Sequence, residues 1–119
     1  MRPCARRDCR PVPDAAATLH RLERVIAARQ GADPAASYVA QLHARGLPVI
    51  ARKLGEEAVE TVISALSGSD GEVIAEAADL LFHLLVLLSA KDIALDDVLA
   101  ELARREGLGG LEEKAGRSE

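Results

Sequence analysis

The chain reads as an all-α protein: a bundle of about five helices, the third and fourth antiparallel at its core, assembled as a dimer-based bundle. Three observations predict this. Ala and Leu, both strong helix formers, supply 39 of the 119 residues. There is one Phe, one Tyr and no Trp, and β-branched residues are few. All five prolines lie at or before Pro48, so nothing in the C-terminal half breaks a helix. At this length the chain holds one domain with a modest, aliphatic core.

Residues 1–13 carry three of the prolines and no apolar periodicity, and read as a disordered leader. The domain proper is expected over 14–106. Asp14 is placed to cap a first helix running to Arg29, with Leu19, Leu22, Val25 and Ile26 on one face and Gly31 beyond its end. Asp33-Pro34 pairs a cap with proline at the first helical position, predicting a second helix to Arg45 that stops at Gly46. Pro48 opens a third helix to about Leu66, and Gly55 inside it suggests close approach by another helix or a ligand. After the Ser67–Gly71 turn, Asp70 caps a fourth helix to about Ala90. Lys91-Asp92 turns the chain, and Asp96 caps a fifth helix from Asp97 to Glu106. Residues 107–119 read as a frayed tail.

The net charge of −4 argues against nucleic acid as the main partner, because the body lacks a basic patch. No run approaches the ~18 consecutive apolar residues that span a bilayer, and the basic N-terminus is not followed by an apolar stretch. No membrane association and a cytoplasmic location are therefore expected. Cys4 and Cys9, the only cysteines, lie in the leader and read as reduced, unstructured thiols, too few to complete a zinc site. Leu80–Leu88 is apolar all round except for His83, more than one neighbouring helix can cover, so a second copy of the chain is expected against it.

The chemistry lies in six carboxylates on two of these helices. Glu72, Glu76 and Asp79 fall with His83 on a stripe of about 60°, at 100° per residue, in an otherwise apolar helix. Glu56, Glu57 and Glu60 cluster likewise on the third helix, one turn after Lys53. The pairs Glu57-x-x-Glu60 and Glu76-x-x-Asp79 each put two acids one turn apart. The 15 residues between them allow a tight antiparallel hairpin that sets the pairs face to face. Facing carboxylates repel unless a cation or protons neutralise them. Oxygen ligands without cysteine suit Mg²⁺ or Mn²⁺ rather than zinc. A di-iron bundle wants Glu-x-x-His on paired helices, and this chain has one such histidine at the wrong spacing.

Glu-Glu-x-x-Glu followed by Glu-x-x-Asp resembles the all-α nucleotide pyrophosphohydrolase superfamily of the MazG type. Ser37-Tyr38-Val39, Lys53-x-Gly55-Glu56-Glu57-Ala58-x-Glu60, Glu76-Ala77-Ala78-Asp79-Leu80-Leu81-Phe82-His83 and Leu102-x-x-Arg105 narrow the resemblance to the phosphoribosyl-ATP pyrophosphatase family of histidine biosynthesis. It covers roughly residues 17–106, and Phe82 departs from the family's usual tyrosine. The resemblance implies Mg²⁺-dependent hydrolysis of phosphoribosyl-ATP to phosphoribosyl-AMP and pyrophosphate, with Mn²⁺ as a possible substitute. It implies Glu57, Glu60, Glu76 and Asp79 as metal ligands, and Glu56, Glu57 and Glu60 as the catalytic acids. Glu56 has two roles open to it, a second ion's ligand or the base that orients water. Arg52 and Lys53 are the nearest cations for the triphosphate, with Lys91 and Arg105 as weaker candidates. His83 is open between a structural hydrogen bond and a contact near the metal. Tyr38 is open between substrate contact and packing, and Gly55 is better assigned to packing than to a phosphate cradle.

Two other functions fit the same residues. One is a house-cleaning nucleotide pyrophosphohydrolase acting on non-standard triphosphates. The other is a non-catalytic helical interaction module. The partners expected are a small nucleotide substrate and a second copy of the chain, as a homodimer or a dimer of dimers. No cyclohydrolase-like His/Cys pattern occurs in the sequence, so a separate cyclohydrolase is expected to act on the product.

Overall fold

A computed structural model describes residues 14–107, which form five helices and no strand. These are α1 (Ala15–Arg29), α2 (Tyr38–Arg45), α3 (Leu47–Ser67), α4 (Asp70–Ala90) and α5 (Leu95–Glu106). The leader with its two cysteines, and the tail beyond Gly107, lie outside the described residues.

The termini show which local signals win. Asp14 precedes α1 as read, but its backbone carbonyl, not its side chain, accepts from Ala17 N–H. The second helix starts four residues later than Asp33-Pro34 implies. Asp33 does accept from the Ala35 N–H at 3.0 Å, but it closes only one turn. Ser37 then caps α2 by accepting from Ala40 N–H. Gly46 both ends α2 and begins α3, at φ 96°, a backbone conformation that side chains rarely adopt. Ser69, one residue before Asp70, caps α4 by accepting from Glu72 N–H at 3.2 Å. The turn after α4 puts Asp92 at φ 55°, which aspartate tolerates better than most residues. α5 begins two residues before the expected start.

α3 and α4, of 21 residues each and joined at Gly68-Ser69, form the principal packed pair, with α1 against α4 and α2 against α3. The core is aliphatic, as composition predicts: Ile26, Val39, Leu42, Ile50, Leu85, Val86, Leu88 and Leu95. Val98 and Leu99 dock α5 on it. Two polar contacts join α1 to α5. Glu23 accepts from the Leu95 N–H at 2.7 Å, and His20 Nε2 lies 2.6 Å from Asp96 Oδ1.

Within Leu80–Leu88, Leu85, Val86 and Leu88 are buried in the monomer's own core and Phe82, Leu84 and Leu87 pack against it, while Leu81 is exposed. A larger exposed apolar surface lies on α3. Val59, Val62, Ile63 and Leu66 repeat at i, i+3, i+4, i+7 along α3, and all are exposed, Leu66 at 84%. Ile74 and Leu81 of α4 are exposed too. Gly55, read as a packing glycine, has open space around it: a Cβ there would meet nothing within 4 Å in this chain.

By length and composition α4 alone among the described helices is long and apolar enough to cross a membrane, with mean hydropathy 1.9 over 18 residues. Its first half nevertheless carries Glu72, Glu76 and Asp79, and it packs against α1 and α3.

Core and cap contributions separate cleanly. Ile50 is fully buried, so Ile50→Ala should lower unfolding free energy by about 2–5 kcal/mol. Ser69→Ala removes one cap and should cost about 1 kcal/mol. Urea denaturation of both variants checks this; equal losses would mean that α4's cap matters as much as the core.

Candidate metal centre

The site arises where the middle of α3 faces the first half of α4. One turn of α3 brings Glu57 and Glu60 inward, and one turn of α4 brings Glu76 and Asp79 to meet them. Glu57, Glu76 and Asp79 can each place an oxygen within 4.8 Å of the others. Glu57 is 7% exposed, Glu76 is half-buried, and Asp79 and Glu60 lie at the solvent edge. Glu60 stands outside the tight triad yet raises the carboxyls of both Glu57 and Glu76.

These groups compete for protons. The Glu76 carboxyl is pushed up to about 7, chiefly by its hydrogen bond to Glu60 and then by desolvation and the neighbouring charges. Glu57 is also raised, first by burial and then by Glu60. Even so, Glu57 Oε2 and Glu76 Oε2 are buried with no hydrogen-bond partner. Such oxygens cost stability unless something cationic meets them. An all-carboxylate donor set of this kind fits a hard divalent cation.

Not every residue singled out from the sequence joins this cluster. Lys53 and Arg52 stand at its rim one turn before Glu57, and both are paired with Glu56, at 3.3 and 3.7 Å. Lys53 is raised above the ordinary lysine value, mainly by the Glu56 hydrogen bond and next by nearby Tyr38. Glu72 is exposed on the first turn of α4, outside the cluster. Lys91 follows α4 twelve residues after Asp79, about 18 Å along the axis. Arg105 is engaged on its own helix, with Nε donating to Glu101 at 3.1 Å. Within one chain Lys91 is therefore not brought to the acids.

His83 is 5% exposed, and its hydrogen bonds define it. Nδ1 lies 2.7 Å from the Asp79 carbonyl oxygen, which can only accept, so this nitrogen carries the proton. In the neutral ring Nε2 then accepts from the Tyr38 hydroxyl at 2.9 Å. With both nitrogens engaged, His83 holds the backbone of a cluster residue on one side and an α2 tyrosine on the other. Sequence spacing did not reveal the Tyr38 link, since the two residues are 45 apart and on different helices.

Comparison with known proteins agrees with this geometry. Residues 19–106 match the family model described as phosphoribosyl-ATP pyrophosphohydrolase. A protein of Erythrobacter litoralis named phosphoribosyl-ATP pyrophosphatase is 66% identical over 102 residues, covering 86% of this chain and 98% of that protein. A protein of the same name from Novosphingobium aromaticivorans is 63% identical, covering 84% of this chain and 94% of its own length. One from Parvibaculum lavamentivorans is 60% identical, covering 87% and 95%. The facing acid pairs and these matches together establish that the chain belongs to the phosphoribosyl-ATP pyrophosphohydrolase family, a family of hydrolases.

Proposed function

We propose that this chain hydrolyses phosphoribosyl-ATP to phosphoribosyl-AMP and pyrophosphate, a step of histidine biosynthesis, at the α3–α4 carboxylate cluster. Relatives named for that activity match over nearly their whole length. The observation that carries the chemistry is the pair of buried, unpartnered oxygens on Glu57 and Glu76. We assign Glu57, Glu60, Glu76 and Asp79 to hold Mg²⁺, with Mn²⁺ as a substitute. When bound, such an ion supplies positive charge against phosphate oxygens and acidifies water.

The chain's own residues do the rest. Arg52 and Lys53 present cations at the rim for the phosphate chain, and Glu56 holds both in place between turnovers. Glu56 thus serves the cations rather than the metal. Glu60, exposed beside the cluster, is placed to take a proton from water at the solvent edge. The catalytic unit is assigned to residues 14–106, which contain the family match. A cytoplasmic enzyme passing its product to a separate cyclohydrolase suits this role.

Three outcomes test this reading. Phosphoribosyl-ATP should release pyrophosphate with Mg²⁺ or Mn²⁺, stop on adding chelator, and outpace a panel of ordinary triphosphates. Faster turnover of a non-standard triphosphate would favour the house-cleaning activity, and no release from any would leave only an interaction module.

Acid-to-amide changes should trade activity for metal-free stability. Glu60→Gln and Asp79→Asn should lower kcat by orders of magnitude but melt, without metal, at or above the parent's temperature, since repulsion is relieved. Glu72→Gln, outside the cluster, should change kcat little. The pH dependence has a defined sign. Glu76 titrates at about 7 when folded against an ordinary 4.5, so between these values the folded chain binds more protons than the unfolded one. That contribution is complete below about pH 4.5 and is lost as pH rises through 7, so the chelated parent should become less stable over this window. Glu76→Gln should flatten that fall, as read by melts across pH 4–8. A collapsed apo fold in these variants would mean a structural salt-bridge network instead.

Homodimerisation is part of the proposal. Only 22% of the apolar α4 window is buried within the chain, and α3 carries an exposed apolar stripe beside it. Light scattering at micromolar concentration should give at least twice the chain mass, and Ile63→Asp should shift it towards the monomer. A monomeric parent would contradict this.

A further inference from the structure

The chain has one tyrosine and one phenylalanine in 119 residues, and both rings meet His83, which is bonded to the Asp79 carbonyl. Tyr38 and Phe82 rings stack at 6.2 Å between centroids, 20° from parallel. His83 meets both edge-on, at 5.8 Å from Tyr38 and 5.3 Å from Phe82. Core packing alone does not account for this. Tyr38 is 45% exposed, while the buried core is otherwise aliphatic.

Its ring is also fixed. A buried histidine accepts a hydrogen bond from its hydroxyl, and Phe82 supports one face. That histidine is itself anchored to the Asp79 carbonyl, so the ring is referenced to the α4 turn that carries the acids. On the α3 side Tyr38 lies near Lys53, the cation at the rim. A flat, immobilised and half-exposed ring beside the cations placed for phosphates has the properties of a stacking surface. An aromatic ring ordered before binding loses little entropy when a base lies on it.

We propose that Tyr38 is the platform on which the purine ring of the nucleotide stacks, with His83 and Phe82 holding its plane. This deepens the proposed function and rests on the substrate being a nucleotide bound through its phosphates at the neighbouring cluster. The phosphate chain lies over Lys53 and the acid pairs, and the base lies against the exposed face of Tyr38. His83 is a positioning residue that acts through Tyr38. Stacking would give a site without a base-reading motif a preference for nucleotides over inorganic polyphosphate, because any purine offers a π-face.

The test compares Tyr38→Leu and Tyr38→Phe with the parent in Mg²⁺, using KM for phosphoribosyl-ATP and competitive inhibition by inorganic tripolyphosphate. Stacking on an aromatic side chain is worth about 1–3 kcal/mol, or about 5- to 150-fold. Tyr38→Leu should raise KM by that factor with kcat within about threefold, while inhibition by tripolyphosphate stays unchanged. Tyr38→Phe keeps the ring and loses only its tether, so its KM should rise less than in the leucine variant. Because Tyr38 is half-exposed, both variants should melt within a few degrees of the parent.

An unchanged KM in Tyr38→Leu would overturn the platform, as would equal loss of tripolyphosphate inhibition. A phenylalanine variant as impaired as leucine would assign the effect to the hydroxyl and also overturn it. If the parent does not turn over phosphoribosyl-ATP, the functional reading falls separately. Stacking is then decided by calorimetry, where parental ATP must bind more tightly than tripolyphosphate and lose that margin in Tyr38→Leu.

Discussion

Like-charge repulsion across one helical hairpin is the constraint on which the rest of this molecule depends. Two helices of 21 residues, joined at Gly68-Ser69, have no freedom to separate their inner faces. Carboxylates at Glu57, Glu60, Glu76 and Asp79 are therefore forced together. The protein meets this by sharing protons, which lifts Glu76 to about 7, and by leaving two buried oxygens unpartnered. An apolar substitute would make a better core. Retaining the acids is sensible only where a cation enters the account.

Around that cluster, charges are arranged by distance. The nearest cations, Lys53 and Arg52, are kept at the rim by Glu56 and do not collapse onto the inner acids. Had either moved one turn inward, it would neutralise the cluster and fill it. In the proposed function Glu56 therefore keeps two roles apart, anion binding at the edge and cation binding within. Further off, Arg104 and Arg105 are both bonded to Glu101, which is pulled down to about 2 by them, so α5's positive end is balanced locally.

Much of this was legible in the sequence because it has a phase. Acids at three- and four-residue spacing on two helices declare a face, and a short glycine-containing turn sets the faces opposite. The aliphatic core followed from composition for the same reason. What could not be read lacked phase or depended on a distant partner. Leu80–Leu88 is apolar on every side, so only its neighbours decide which leucines are covered. α3's Val59, Val62, Ile63 and Leu66 did carry a periodic signal, and that stripe is the one left exposed. Asp33 and Ser37 are both good caps four residues apart, and local propensity does not rank them. The remoteness of Lys91 and the engagement of Arg105 are matters of three-dimensional reach, invisible to spacing along the chain. Gly55 looked like a close-packing glycine because a helix interior rarely tolerates one without cause, yet its surroundings are open.

The bond from the Leu95 N–H to Glu23 has a consequence for how the chain assembles. α5 has no side-chain cap of its own at Ala94, and the donor in its first turn is met by a carboxylate 72 residues away. Its first turn is thus incomplete until α1 has docked. The α3–α4 hairpin, by contrast, is built from contacts close in sequence and owes its start to Ser69 next door. Loop-closure entropy favours such neighbours first. On that ground the hairpin that bears the acids is expected to form before the contact between the first and last helices.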